Sequence, residues 1–368
     1  DERVFGSDCS VNLKGVRKVA LLVERYGTRR FAYAGNSTAD FPVWAEASEA
    51  IVVNASAAVE SRARTLTTVS RVFSSPAKWA KSVAKALRVH QWAKNVLVFV
   101  PVLASHQLIN GRLMLQAGLA FLAFSLCASS VYIINDCLDL ESDRRHPRKR
   151  NRPFASGSLS IPFGLTLAAV CLFGGVLVAV ALPPLFLLVL AGYLVLTTGY
   201  SFYLKQFVLL DVIVLAQLYT VRVYGGGAAT GVAPSHWLLT FSLFLFLSLA
   251  LVKRFTELRL MSQTEGKGLH GRGYWVTDLE HVSSIGTASG LLAVLVLALY
   301  ISSKEVLLLY THADVLWLVC PVMLYWISRV WMLAYRNQMD DDPVVFAVKD
   351  PKSYAMAAII AAILFFAK

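Results

Sequence analysis

The residues best suited to chemistry form a run of carboxylates where an apolar stretch ends: Asn135, Asp136, Asp139 and Asp143. On a helix the offsets i, i+3 and i+7 put the three aspartates on one face. Like charges held so close at a membrane boundary are unfavourable unless a cation sits among them. Hard oxygen ligands of this kind suit Mg²⁺, which keeps waters and bridges to substrate phosphates. Six basic residues follow at once: Arg144, Arg145, Arg148, Lys149, Arg150 and Arg152. The pattern reads as a metal–diphosphate site, with Asn135, Asp136, Asp139 and Asp143 as ligands and the aspartates as its catalytic groups. A capped helix end with a solvated basic loop explains isolated acids. It does not explain three carboxylates sharing a face beside an Asn.

Membrane helices must position that site. The chain has 368 residues, of which 57% are hydrophobic and only 16% charged, where a soluble domain carries roughly a quarter. Reading for runs of about 20 apolar residues predicts an all-α polytopic membrane protein. Its nine transmembrane helices are expected near 96–108, 113–134, 162–182, 184–203, 208–224, 236–251, 282–301, 315–330 and 353–366. Pro101 breaks the first, and Pro183-Pro184 reads as a tight hairpin. With the N-terminus inside, most of the basic residues fall on the side of the acidic motif, so that side is expected to be cytoplasmic, at a bacterial inner or plasma membrane. The net charge of +12 then needs anionic lipid and anionic substrate, and no nucleic acid.

Five scattered cysteines, Cys9, Cys127, Cys137, Cys171 and Cys320, form no C-x-x-C pair, so neither a disulfide frame nor a zinc site is indicated. Gly225-Gly226-Gly227 is expected to end the fifth span, and Asp340-Asp341-Asp342 to be a solvated turn. No h-region of a signal peptide is visible in the polar first eighty residues. Arg222 lies well inside the fifth span, and an intramembrane Arg is a functional candidate by default. Lys253 and Arg254 stand at the cytoplasmic end of the sixth and could join Arg222 in holding a lipid phosphate, or merely snorkel.

Residues 1–75 have a different character. Segments 31–34 and 50–54 read as short strands, and the turn Gly35-Asn36-Ser37-Thr38-Ala39-Asp40 leads into a helix through Trp44. This is a small truncated α/β unit with polar residues at a strand's C-terminal end. Its Gly35–Asp40 turn resembles the fourth motif of haloacid-dehalogenase-like phosphatases, and Lys14 their third-motif lysine. Asn36 replaces a metal-binding Asp, and no Asp-x-Asp nucleophile motif is present. The resemblance implies an inert remnant of such a domain; the start at Asp1 leaves room for an upstream portion. Residues 67–94 are basic and amphipathic, with an interfacial linker over 76–95.

The membrane part, 96–368, resembles the UbiA-type polyprenyl transferase superfamily. The motif Asn135-Asp136-x-x-Asp139-x-x-x-Asp143-x-x-His146-Pro147-x-Lys149-x-x-Arg152 carries the likeness, as does Leu87-Arg88-x-x-Gln91-Trp92-x-Lys94-Asn95. Within it the chain is most similar to decaprenyl-phosphate phosphoribosyltransferases, through Tyr200-Ser201-x-x-Leu204-Lys205, Leu210-Asp211, Arg222 and Lys253-Arg254-x-x-Glu257-Leu258. A second Asp-x-x-x-Asp motif, common in the superfamily, is replaced here by Lys253-Arg254-Phe255-Thr256-Glu257. The resemblance implies Mg²⁺-dependent transfer of a 5-phosphoribosyl group from phosphoribosyl diphosphate to a polyprenyl phosphate in the lipid bilayer. Gln91, Lys94, Asn95, Lys149, Arg152, Tyr200, Lys205, Arg222, Lys253 and Arg254 are the expected substrate-binding residues. An aromatic polyprenyl transferase of the same fold is the alternative. A transporter or cation channel fits less well, because the acids sit at the interface and no internal repeat is evident. Whether the chain works alone or as a homo-oligomer stays open.

Overall fold

The computed structural model describes residues 13, 15–73, 76–145, 149–263, 272–303, 306, 309–339 and 343–368. Lys14, His146, Arg148 and the Asp340-Asp341-Asp342 run lie outside them. The chain divides into two compact units, Asp1–Ser82 and Val83–Lys368.

In the first unit α1 (Val16–Tyr26), β1 (Ala32–Gly35), α2 (Phe41–Glu46), β2 (Glu49–Val53), α3 (Ala57–Leu66) and β3 (Thr68–Phe73) alternate. The strands form one parallel sheet in the order β1-β2-β3, with Ala32 opposite Glu49 and Glu49 opposite Thr68. Trp44, Ala50, Val52, Val59 and Ala63 are its buried core. β3 corrects the amphipathic reading that began at residue 67. Val69 and Val72 pack on that core while Arg71 faces outward, and the strand supplies the second neighbour of β2.

The second unit opens where α4 (Pro76–Ala86) stops before Arg88, whose φ of 51° is left-handed. A 3-10 stretch, Val89–Phe99, runs into the five-residue α5 (Val100–Ala104). The first expected span is therefore a broken element, with Pro101 at the start of its α-helical part, where a missing N–H is tolerated. Then follow α6 (Gly111–Leu138), α7 (Leu140–Arg145), α8 (Ile161–Val180), α9 (Pro184–Phe202), α10 (Leu210–Thr230), α11 (His236–Gln263), α12 (Leu279–Ile301), α13 (Val319–Tyr335), α14 (Pro343–Lys349) and α15 (Pro351–Ala367). Seven of these, α6 and α8 to α13, are long and apolar enough to cross a membrane, α12 and α13 with their leading 3-10 turns. Of the nine spans expected, seven are such helices among the described residues. The remaining two are the broken first element and α15, whose 17 residues rise about 26 Å against a hydrocarbon core of about 30 Å.

Local signals set the helix ends. The side chains of Asn110, Ser160 and Asp350 cap α6, α8 and α15 by accepting N–H groups of the first turn. Gly225-Gly226-Gly227, by contrast, does not end α10, which continues to Thr230 and is closed by Gly231 at φ 75°. The three glycines are buried within the helix. A Cβ on Gly226 would lie 2.0 Å from the Val98 carbonyl oxygen, and one on Gly225 would lie 2.7 Å from the Phe124 ring. Their role is close approach to a neighbour.

Candidate functional site

α6 ends at Leu138, with the Asp139 N–H donating to the Asn135 carbonyl at 2.9 Å, before the chain turns into α7. That break redistributes the three acids. Asp136 and Asp143 are buried at 2% and 1% exposure, while Asp139 is exposed. Arg152 Nη1 bridges the buried pair, 3.0 Å from Asp136 Oδ1 and 2.6 Å from Asp143 Oδ2. Arg88 adds a second contact to Asp136 Oδ1 at 2.5 Å. Asn135 donates its amide to Ser201 Oγ at 2.9 Å on α9. Among the described residues no group of three or more acids, histidines or cysteines converges, so the three carboxylates expected on one face are divided between a buried pair and an exposed Asp139. The physical reason is that two like charges removed from water need cations, and here arginines supply them. One acceptor is left over, because Asp143 Oδ1 is buried without a hydrogen-bond partner among the described residues. A hard, unsatisfied carboxylate oxygen beside Asp136 fits a divalent cation of the Mg²⁺ type.

These groups open onto a cavity of about 500 Å³. Its wall includes Gln91, Lys94, Asn135, Asp136, Asp139 and Lys149 of the expected residues. Arg152, Tyr200, Lys205, Arg222 and Lys253 complete that set. Asp143, Asn95 and Arg254 are not on the wall.

Arg222 is 5% exposed on α10. It donates to Asn95 Oδ1 at 2.7 Å, to the Tyr193 hydroxyl at 2.9 Å and to the Leu218 carbonyl. The rings of Tyr193 and Tyr219 lie 4.8 Å and 5.6 Å from its guanidinium carbon. Every partner is neutral, and no carboxylate pairs with Arg222 among the described residues. Asn95 in turn donates to Ser125 Oγ at 2.9 Å, which fixes which of its atoms faces the arginine. Asn95 therefore positions Arg222 and does not itself line the cavity.

Arg254 is the opposite case and corrects its expected substrate role. It is fully buried and pairs with Asp211 Oδ2 at 2.5 Å and with Glu257. Its remaining nitrogen donates to Tyr200 at 3.4 Å. The hydroxyl of Tyr274 donates to Asp211 Oδ1 at 2.6 Å and accepts the Leu209 N–H at 2.9 Å. Burial, then donation to Asp211, pushes the Tyr274 phenol above its ordinary range, so it stays a donor. Fully buried and off the cavity wall, Arg254 is held by two carboxylates away from any substrate.

Sequence reading missed several wall residues. Arg88, Tyr132, Tyr193, Ser201, Tyr219 and Arg272 all line the cavity. Arg88 lay inside the quoted Leu87–Asn95 motif, and its pairing with Asp136 across 48 positions has no local signature. Tyr219 and Arg222 sit three apart on α10, a spacing that does mark one helix face.

In the first unit a separate pocket is lined by Lys18, Tyr33, Asn36, Ser37 and Asp40. Lys18 donates to the Tyr33 hydroxyl at 2.9 Å, and that hydroxyl donates to Asp40 at 3.1 Å. Burial alone would raise the Asp40 carboxyl, but the N–H groups of Asn36 and Ser37 and the hydroxyls of Ser37 and Tyr33 hold it below the usual range. Among the described residues the lysine lining this pocket is Lys18.

Long apolar helices around a cation-rich cavity with buried carboxylates are the frame of a membrane-embedded protein that takes an anionic ligand. The chain belongs to the UbiA prenyltransferase family, whose pattern its residues 96–357 match. It is 39% identical over 363 residues, 97% of this chain and 69% of the other, to an uncharacterised protein y4nM of Sinorhizobium fredii. It is 36% identical to the nodulation protein NoeC of Azorhizobium caulinodans, over 75% of this chain and 91% of that protein. It is 37% identical to the decaprenyl-phosphate phosphoribosyltransferase of Mycobacterium tuberculosis, over 51% of this chain and 64% of that protein. In structure it is similar to a UbiA homologue from Archaeoglobus fulgidus bound to GPP and Mg²⁺, with a TM-score of 0.58 and 16% identity over 78% of this chain and 99% of that one. That likeness is one of fold.

Proposed function

We propose that this enzyme transfers a 5-phosphoribosyl group from phosphoribosyl diphosphate to a polyprenyl phosphate of decaprenyl type, at the cytoplasmic face of the membrane. The observation that carries the reading is Arg222, a buried cation on the cavity wall with only neutral partners. A buried charge is stable when its counter-charge arrives, and a lipid phosphate is an anion that enters from the bilayer. The partial identity to a decaprenyl-phosphate phosphoribosyltransferase supports the same choice.

Asp136 and Asp143, whose Oδ1 is left unpaired, would hold Mg²⁺, with Asp139 and Asn135 close to them in sequence. The metal, when bound, neutralises the diphosphate and makes it a better leaving group. Arg88 and Arg152, which here neutralise Asp136 and Asp143, are placed to contact diphosphate oxygens, and Lys94, Lys149 and Lys205 add positive potential along the wall. An oxygen of the lipid phosphate attacks the anomeric carbon, the bond from that carbon to the diphosphate oxygen breaks, and diphosphate departs with the electron pair. The nucleophile is already anionic, so no general base is required. Arg222 and its tyrosines orient it.

A second reading, aromatic prenyl transfer, is favoured by the same tyrosines, since Tyr193 and Tyr219 could flank a carbocation. The deciding experiment supplies labelled phosphoribosyl diphosphate and a polyprenyl phosphate to the detergent-purified chain with Mg²⁺. Lipid-extractable label that disappears with EDTA supports phosphoribosyl transfer. No label, with a prenyl diphosphate consumed in the presence of an aromatic acceptor, moves the assignment to the second reading.

For the first unit, the parallel α/β topology and the Lys18–Tyr33–Asp40 chain at the end of β1 support the haloacid-dehalogenase-like reading.

A further inference from the structure

Arg272 enters the cavity wall from the segment between α11 and α12. Its Nη1 is buried and has no hydrogen-bond partner among the described residues. A donor shut away from water without an acceptor is unfavourable, so the arrangement suits an acceptor that arrives with the substrate. Its placement is enforced by its neighbours. Gly273 has φ 66°, and a Cβ there would lie 2.9 Å from the Gln206 carbonyl oxygen. Tyr274 is tied to Leu209 and Asp211 by its hydroxyl. Residues 272–274 are thereby fastened to the turn that carries Lys205, which lies on the same wall.

This level of the cavity is not that of Arg222. Asp211 and Arg222 are eleven residues apart on α10, about 16 Å along the axis. The wall thus carries two cationic levels roughly three turns apart. The carboxylates, with Arg88 and Arg152, are already assigned to the diphosphate.

We propose that Arg272, with Lys205, forms a separate anion subsite for a sugar monophosphate, the end of the donor remote from its diphosphate. This rests on the reading that the donor is a phosphorylated sugar; a prenyl diphosphate has no such group. The planar fork of Arg suits a phosphate.

The test measures binding of ribose 5-phosphate and of inorganic pyrophosphate, separately, to the full chain in detergent by titration calorimetry. Arg272→Gln is expected to weaken ribose 5-phosphate about tenfold or more and to leave pyrophosphate unchanged. Arg272→Lys, which keeps the charge but not the fork, should fall between and covers the case of a poorly folded glutamine variant. Equal ribose 5-phosphate affinity in wild type and variants overturns the subsite, as does a loss confined to pyrophosphate or no ribose 5-phosphate binding by wild type. Label transfer by wild type is scored independently. Lost binding in the variant without any transfer by wild type would refute the overall reaction and keep the subsite; transfer with unaltered affinity would do the reverse.

Discussion

Two buried arginines, 32 positions apart in sequence, live by opposite rules. Arg254 sits between Asp211 and Glu257 with tyrosines around it, a closed network whose charges are answered within the protein. Arg222 sits among an amide, a carbonyl and two aromatic rings, with its charge unanswered. Burial and residue type are the same. What differs is whether a carboxylate is supplied, and that separates a cation that holds helices together from one that waits for an anion.

The sharpest way to break this contrast is to delete both arginines in turn. Arg254→Ala strands a fully buried Asp211, which should destabilise the fold by about 3–5 kcal/mol; a lowered thermal transition of the protein in detergent checks it. Adding Asp211→Leu and Glu257→Gln should recover much of that loss, because the orphaned charges go too. Arg222→Met strands only neutral groups. The folded yield should be nearly retained while turnover with polyprenyl phosphate drops about a hundredfold, measured by lipid-extractable label. Comparable unfolding in both variants would erase the distinction.

Asn95→Leu is the next smaller test. It removes the acceptor that aims the Arg222 Nε, and an expected rise of about tenfold in KM for the lipid phosphate, with KM for the donor unchanged, would mark a positioning role. An equal rise in both constants would point to general loosening of the cavity. The mildest effect lies in the first unit. Asp40, held below its ordinary value of 3.8, contributes stability that is present above that value and is lost as pH falls below it. Asp40→Asn should abolish this acid sensitivity in hydrogen exchange of peptides covering 32–53.

Much of this was legible before the fold was known. The carboxylate run, the basic loop, the apolar spans and the intramembrane Arg222 are local signals, readable from period and composition. The misreadings share one cause, dependence on distant partners. Arg254 looked available because Asp211 stands 43 positions away. The three aspartates looked equivalent because nothing nearby announces that the helix stops at Leu138 and that Arg88 and Arg152 close on Asp136 and Asp143. β3 was hidden since its alternation is weak and its partner is β2, not a sequence neighbour. Arg272 was counted only as positive charge, because its burial depends on Gly273 and Tyr274 meeting the turn before α10.

Gly226 has a mechanical consequence. The Val98 carbonyl fills the space where its side chain would be, and each partner lies one turn from a member of the Asn95–Arg222 pair. Backbone thus rests on backbone at the point that sets the relative height of those two side chains. Sliding of α10 along the 89–99 segment is blocked there, since packed atoms at that separation have no slack. A side chain at position 226 would therefore shift the height of Arg222 against Asn95 before it touched either residue.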